Sequence, residues 1–229
     1  MFEYPDSCPV CGSVKLSSSA VCPDCQTQLD SECFDSFMSR CPNCMYPILS
    51  PLYKCTRCGG AGTFRVYPVA DYGGSLGYSV LDSFKFHDHR EMAKVGAFYL
   101  SRALSVLDSE GRAVLVPVPC SRARLRRFGW DQMAEICKAL GRPYASLLSQ
   151  RNSASSVQQK KLDRAGRQAV SEGKFIINPR FRGKMPDKST KLIVIDDVVT
   201  TGSTMNAAIT VLREYGYGDV DGAGWFAEL

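Results

Sequence analysis

Eight of the 11 cysteines fall in four Cys-x-x-Cys pairs within the first 58 residues: Cys8/Cys11, Cys22/Cys25, Cys41/Cys44 and Cys55/Cys58. The pairs repeat: each cysteine of the first two recurs 33 positions later, Cys8 as Cys41 and Cys25 as Cys58. Each unit reads Cys-Pro-x-Cys, ten residues, then Cys-x-x-Cys. Such a turn aims two thiolates at one tetrahedral centre, and a second turn completes a four-sulfur site. Gly12 and Gly59 follow the second cysteine of their pairs, where the backbone turns its amides toward the sulfurs. The spacing predicts two structural Zn²⁺ ions, closed sites with no open coordination position. Sequential pairing of knuckles is the simplest reading, and interleaved pairing fits the spacing too. One intact site beside empty pairs, or an iron–sulfur cluster, is the competing outcome. A secreted disulfide scaffold is disfavoured, because the remainder reads as a cytosolic α/β domain where thiols stay reduced.

The remainder is long enough for a real core. The chain has 229 residues, 45% hydrophobic and 22% charged, with a net charge of +5. That balance permits an anionic ligand or a nucleic acid without demanding either. No apolar run reaches the roughly 18 residues a membrane span needs, and no apolar signal core opens the chain, so membrane insertion is not expected and a cytoplasmic location is. Composition changes after Gly59-Gly60-Ala61-Gly62, which places a Cys-rich module at 1–62 and a second domain at 63–229. Strands are expected at Thr63–Tyr72, Arg112–Pro119, Pro143–Gln150, Lys174–Pro179, Lys191–Asp197 and Gly218–Leu229. Helices are expected between most of them, for example Gly129–Leu140, stopped by Gly141. Arg151–Gly173 is polar and basic and reads as a long loop. Alternating strands and helices point to a parallel sheet with helices on both faces.

The chemistry concentrates in Lys191–Ile209, KLIVIDDVVTTGSTMNAAI. A buried strand breaks at Asp196 and Asp197, and a helix restarts after Thr200, Thr201, Gly202, Ser203 and Thr204. Amides at a helix start, with hydroxyl donors beside them, suit a phosphate. Gly202 lets the backbone approach it closely. Two carboxylates next to a phosphate make sense as acceptors for the vicinal hydroxyls of a ribose on that phosphate. The combination reads as a ribose-5-phosphate site.

This stretch resembles the PRPP-binding motif of the type I phosphoribosyltransferases. That resemblance implies a second loop, Pro119, Cys120, Ser121 and Arg122, for pyrophosphate, and Mg²⁺ bridging pyrophosphate and ribose hydroxyls, as suits a hard cation. It also implies a type I phosphoribosyltransferase fold for the second domain. The cysteine knuckles, DSFKFHDH, VPVPCSRARLRRFGWDQ, QQKKLDRAGR and VIDDVVTTGST, in that order, resemble the ComF family of competence-associated phosphoribosyltransferase-like proteins along nearly the whole chain. The family's usual Arg-Gly-Phe-Asn-Gln reads here Phe128-Gly129-Trp130-Asp131-Gln132, and Val170 stands where an Asn often follows Arg167. The resemblance implies that Lys85, Gln159 and Arg167 face the ligand. As partners it implies single-stranded DNA in natural transformation and a competence helicase of the DNA-uptake machinery.

Arg122, Arg124, Arg126 and Arg127 crowd six positions, and Lys160, Lys161, Arg164 and Arg167 lie in the long loop. Pyrophosphate and one phosphate need few cations, so a surplus is available to track a nucleic-acid backbone, with Phe128 and Trp130 as stacking faces. The plainer reading is a solvated basic surface with both aromatics in the core. Cys120 reads as a small packing residue sooner than a nucleophile. Three functions share a PRPP site: a protein that binds or processes single-stranded DNA, an active phosphoribosyltransferase releasing pyrophosphate onto a base or amine, and a PRPP sensor without turnover. No nucleobase pocket is evident, since the segment after Phe181 is short, and this favours binding over synthesis.

Overall fold

A computed structural model describes residues 7–15, 19–52, 54–60, 64–151, 174–181 and 185–228. The long loop falls outside these, and with it Gln159 and Arg167, as do residues 61–63 at the expected module boundary.

Leu192-Ile193-Val194-Ile195 is uninterrupted in hydrophobicity because both sides of its strand are covered. Ile193 and Ile195 enter one core, and Leu192 and Val194 enter another. The strands are β1 (Ser39–Arg40), β2 (Pro47–Ile48), β3 (Val66–Asp71), β4 (Val114–Pro117), β5 (Leu148–Gln150), β6 (Phe175–Ile177), β7 (Leu192–Val199) and β8 (Val220–Ala227). The helices are α1 (Pro23–Ser31), α2 (Gly77–Phe86), α3 (Met92–Leu107), α4 (Arg122–Phe128), α5 (Gln132–Ala139) and α6 (Ser203–Glu214).

The central sheet has four parallel strands in the order β3-β8-β7-β4. Residues of α2, α3 and α5 share the core on one face with Ile193, Ile195 and Trp225. α6 buries Met205, Ala208, Ile209 and Leu212 on the other, with Leu192 and Val194. A Cβ on Gly96 of α3 would lie 2.8 Å from both Ile136 and Trp225, so a small residue there lets α3, α5 and β8 meet closely. At the lower end of the sheet Asp221, 4% exposed, is ion-paired with Arg65 at 2.6 Å and Lys191 at 3.0 Å.

Two sequence expectations change. β7 does not break at the aspartates. It continues to Val199, because β8 reaches far enough to pair Asp196 with Gly224 and Val199 with Ala227. β5 and β6 form as strands but pair antiparallel with each other in a separate two-stranded sheet. Three residues each, they sit outside the βα alternation that builds the parallel sheet.

The Cys-rich segment lies along β3, an edge strand. The Cys33–Ala70 bridge, Asp71 N–H to Glu32 O (3.0 Å) and Val66 N–H to Cys44 O (2.8 Å) use edge groups that would otherwise invite another chain. No helix among the described residues is long and apolar enough to cross a membrane.

Candidate functional site

The eight cysteines form two clusters of consecutive pairs, Cys8/Cys11/Cys22/Cys25 and Cys41/Cys44/Cys55/Cys58, whose sulfurs lie within 4.8 Å of one another. The knuckles therefore pair sequentially. Sulfurs of Cys11 and Cys22 are 3.6 Å apart, and those of Cys41 and Cys58 and of Cys44 and Cys55 are 3.7 Å apart. A tetrahedron with metal–sulfur bonds of about 2.3 Å has edges of about 3.8 Å, whereas a disulfide would need about 2.05 Å. Each cluster can hold one tetrahedral metal ion. Cys22 N lies 3.4 Å from Cys8 Sγ and Cys25 N 3.5 Å from Cys22 Sγ, whereas the Gly12 and Gly59 amides, expected to face sulfurs, donate to the Cys8 and Cys55 carbonyls at 2.8 Å. Three pairs are followed by a left-handed residue: Gly12, Met45 (φ 62°) and Gly59.

The clusters dock on opposite faces. The first meets α3, where Gln26 Nε2 donates to Tyr99 Oη at 2.7 Å and Arg102 pairs with Asp30 at 2.7 Å. The second joins the α6 core through Tyr46, whose hydroxyl lies 3.5 Å from Val199 O and 3.3 Å from Glu228 O.

Between β4 and β7 the following helices part, α5 to one face and α6 to the other. Adjacent parallel strands whose crossovers diverge open a crevice at their carboxyl ends. Register places the two suspected loops there: Pro117 pairs with Ile195, and Val118 N–H donates to Ile195 O at 2.9 Å. Pro119–Arg122 thus begins beside Asp196 and Asp197.

Asp196 is 8% exposed. Unlike Asp221, it has no ion pair among the described residues; its Oδ1 accepts the Asp197 N–H at 3.0 Å. Burial, and next the neighbouring Asp197 charge, push its carboxyl up to about 7. Asp197 pairs with Lys85 Nζ at 2.6 Å, from the last turn of α2. Lys85 O also accepts from Arg124 at 3.5 Å, so this residue touches both halves of the crevice. A buried carboxylate without an ion pair of its own is costly, and the charges of Lys85 and Lys174 offset burial only in part. A carboxyl so placed can accept hydrogen bonds from the hydroxyls of a ligand.

The turn after β7 lines a small cleft with Asp196, Val198, Val199, Thr200, Gly202, Thr204 and Met205. Gly202 (φ +75°) precedes the first turn of α6. Thr201 Oγ1 lies 3.1 Å from Ser203 Oγ, and Lys174 Nζ donates to Thr204 Oγ1 at 2.8 Å. Arg57, from the last cysteine pair, borders Gly202. Across the crevice Asp131 organises the other loop. One oxygen caps α5 by accepting Met133 and Ala134 N–H, and the other accepts Cys120 N–H at 2.9 Å. Burial and then Asp131 push the Cys120 thiol up to about 12, which suits a packing residue and not a thiolate nucleophile. Ser121 caps α4 by accepting the Arg124 N–H at 3.2 Å.

α4 has no buried residue, and Arg122, Arg126 and Arg127 are exposed on it, while Arg124 lies over the Phe86 ring at 4.9 Å. Trp130 corrects an expectation. It is 5% exposed, packed on Phe84 (5.5 Å between centroids), with its indole N–H on Asp88 at 2.6 Å. Its ring belongs to the core and offers no stacking face. Arg57, Lys174 and Tyr46 were not legible as site residues. Each reaches the turn only through tertiary packing, and Asp131 carried a signal only as a departure from a family pattern.

The arrangement defines a class: an α/β domain with a four-stranded parallel sheet, joined to a double four-cysteine module. No protein-family model matches the chain. It is 28% identical over 212 residues to competence protein ComFC of Streptococcus pneumoniae, covering 90% of this chain and 87% of that protein. It is 25% identical to ComFC of Bacillus subtilis, covering 91% and 72%, and 27% identical to DNA utilization protein YhgH of Salmonella typhimurium, covering 94% of both. The chain is similar to these ComFC and YhgH proteins over about nine-tenths of its length, in line with the ComF resemblance read from its motifs. Among solved structures, the allosteric regulatory enzyme of purine biosynthesis matches at 20% identity and TM-score 0.35, over 58% of this chain and 26% of that one. A glutamic acid mutant from work on an invariant aspartic acid in HPRTs matches at 12% and 0.33, over 60% and 66%. Scores this low carry no weight beside the topology itself.

Proposed function

We propose that the crevice between β4 and β7 binds PRPP or a related ribose phosphate with Mg²⁺, in a cytoplasmic protein that handles single-stranded DNA during natural transformation. The observation that supports the ligand half is the buried Asp196, without an ion pair of its own among the described residues, beside Asp197 and close to Thr200–Thr204. Asp196 and Asp197 accept the ribose hydroxyls, the Thr200–Thr204 turn takes the 5′-phosphate, and Pro119, Cys120, Ser121 and Arg122 border the pyrophosphate. Mg²⁺ bound with the ligand beside Asp196 and Asp197 would supply positive charge to offset the phosphates. Two Zn²⁺ ions close the cysteine clusters and stabilise the fold. Equilibrium dialysis with labelled PRPP and Mg²⁺ tests this half: one equivalent bound is expected, and none would sink it.

The DNA half is supported by the names of the relatives, competence and DNA utilization proteins, and by the exposed arginines of α4. A competence helicase is the partner consistent with that role. Filter binding of single-stranded oligonucleotides over a salt series is the check. Arg126→Ala/Arg127→Ala should weaken binding and lower the salt slope by roughly one to two. Unchanged affinity and slope would remove α4 as the DNA surface. Turnover is separable: pyrophosphate release from PRPP across a panel of bases and amines would make the protein an active phosphoribosyltransferase, and silence across the panel leaves binding without transfer.

A further inference from the structure

Arg57 occupies the middle of Cys55-Thr56-Arg57-Cys58, the last knuckle of the cysteine module. It is half-buried, and its guanidinium lies over the Tyr46 ring, 4.2 Å from the centroid. Tyr46 is 8% exposed and reaches the carbonyls of Val199 and Glu228, so ring and guanidinium are fixed to the end of β7, where the binding turn starts. A Cβ built on Gly202 would lie 2.7 Å from Arg57 Cζ. With glycine at 202 the guanidinium lies directly against the turn.

Arg57 has no ion pair among the described residues, whereas Arg40 of the same module, stacked over Tyr67, pairs with Asp35 at 2.7 Å. Packing accounts for a stacked arginine. It does not account for a half-buried guanidinium with no anion, set on a turn of amides and hydroxyls beside Lys174. Guanidinium and phosphate match in charge and in bidentate geometry.

We propose that Arg57 is a ligand of the phosphate held by Thr200–Thr204, which makes the second cysteine cluster a working part of the binding site. The inference rests on the ribose-phosphate reading and extends it, because one wall of the site then comes from the metal-binding module. The repeat sharpens the point: the position 33 residues before Arg57 is Asp24, exposed in the first unit and far in kind from a phosphate ligand.

The test is titration calorimetry of the full chain with ribose 5-phosphate and, separately, with pyrophosphate and Mg²⁺. Metal content and melting temperature are recorded for every variant. Arg57→Ala should weaken ribose 5-phosphate binding about 10- to 100-fold with metal content unchanged, and Arg57→Lys should recover part of the loss. Asp24→Ala should stay within about twofold of wild type, and pyrophosphate binding should move by less than about twofold in Arg57→Ala. If Arg57→Ala sheds metal, the neutral and similarly sized Arg57→Gln carries the same expectations. Fully metallated Arg57→Ala or Arg57→Gln binding ribose 5-phosphate as wild type does would overturn the assignment alone, as would an equal loss for pyrophosphate. A wild-type chain that binds no ribose 5-phosphate would bring down the underlying reading with it.

Discussion

The two cysteine clusters have the same ligands, the same spacing and different surroundings. The first sits against α3, tied by Gln26–Tyr99 and Asp30–Arg102, on the face away from the Thr200–Thr204 turn. The second joins the α6 face and, through Tyr46 and Arg57, touches that turn. A repeat in sequence therefore need not be a repeat in role. Once the segment lies along β3, its two halves meet opposite faces of the sheet, and the second half reaches the Thr200–Thr204 turn.

The largest expected effects test what the clusters share. Cys25→Ser and Cys55→Ser should each release one of two metal equivalents and cost about 3–5 kcal/mol or more, read by metal analysis and urea unfolding. If either variant keeps both metals and full stability, the clusters are not equivalent staples. Next comes Asp131→Ala, which removes the α5 cap and orphans the Cys120 amide. A loss of about 2–3 kcal/mol in urea unfolding is expected, and a loss below about 0.5 would mean the Pro119–Arg122 loop is held by other contacts.

The acid at the crevice gives a pH signature. The folded Asp196 carboxyl sits near 7, above its ordinary value of 3.8, so between those values the folded chain holds a proton that the unfolded chain has lost. Asp196 thus favours folding at low pH, and that contribution fades as pH rises through about 7. Asp196→Asn should stabilise the chain at pH 8 by the order of 2 kcal/mol, about 4–8 °C, and by much less at pH 4.5. A gain independent of pH would contradict the buried-acid account.

The smallest effects separate the clusters. Tyr99→Phe removes the first module's tie to α3, and Tyr46→Phe removes the second's tie to β7 and β8. Each should cost about 1 kcal/mol. Only Tyr46→Phe should also weaken ribose 5-phosphate binding, because it frees the ring under Arg57. Equal binding losses in both would mean that the clusters act through general stability alone.

Much of this was legible in the chain. The buried run Leu192–Ile195, the acid pair and the hydroxyl turn announce a parallel strand with a site at its end, because local chemistry and local structure coincide there. The stop of the helix Gln132–Ala139 before Gly141 was legible, but not its start: Gly129, expected to open it, closes α4 in a left-handed turn, and Asp131 is the cap. What escaped was set by packing between distant segments. Asp196 remains in a strand because β8, nearly thirty residues on, extends to pair with it. Trp130 looks like a stacking face in a basic loop, yet it is drawn inward by Phe84 and Asp88 from another helix and its flank. Arg57 carries no mark of a ligand residue within its own knuckle. Its place against the turn is set by Gly202, far along the chain.

The central claim is that the acid pair and the turn hold one ribose phosphate. Calorimetry with PRPP and Mg²⁺ on wild type and on Asp196→Ala/Asp197→Ala tests it most directly. Saturable binding of one equivalent by wild type and none by the folded double variant is expected. No binding by wild type, or equal binding by both, would contradict it.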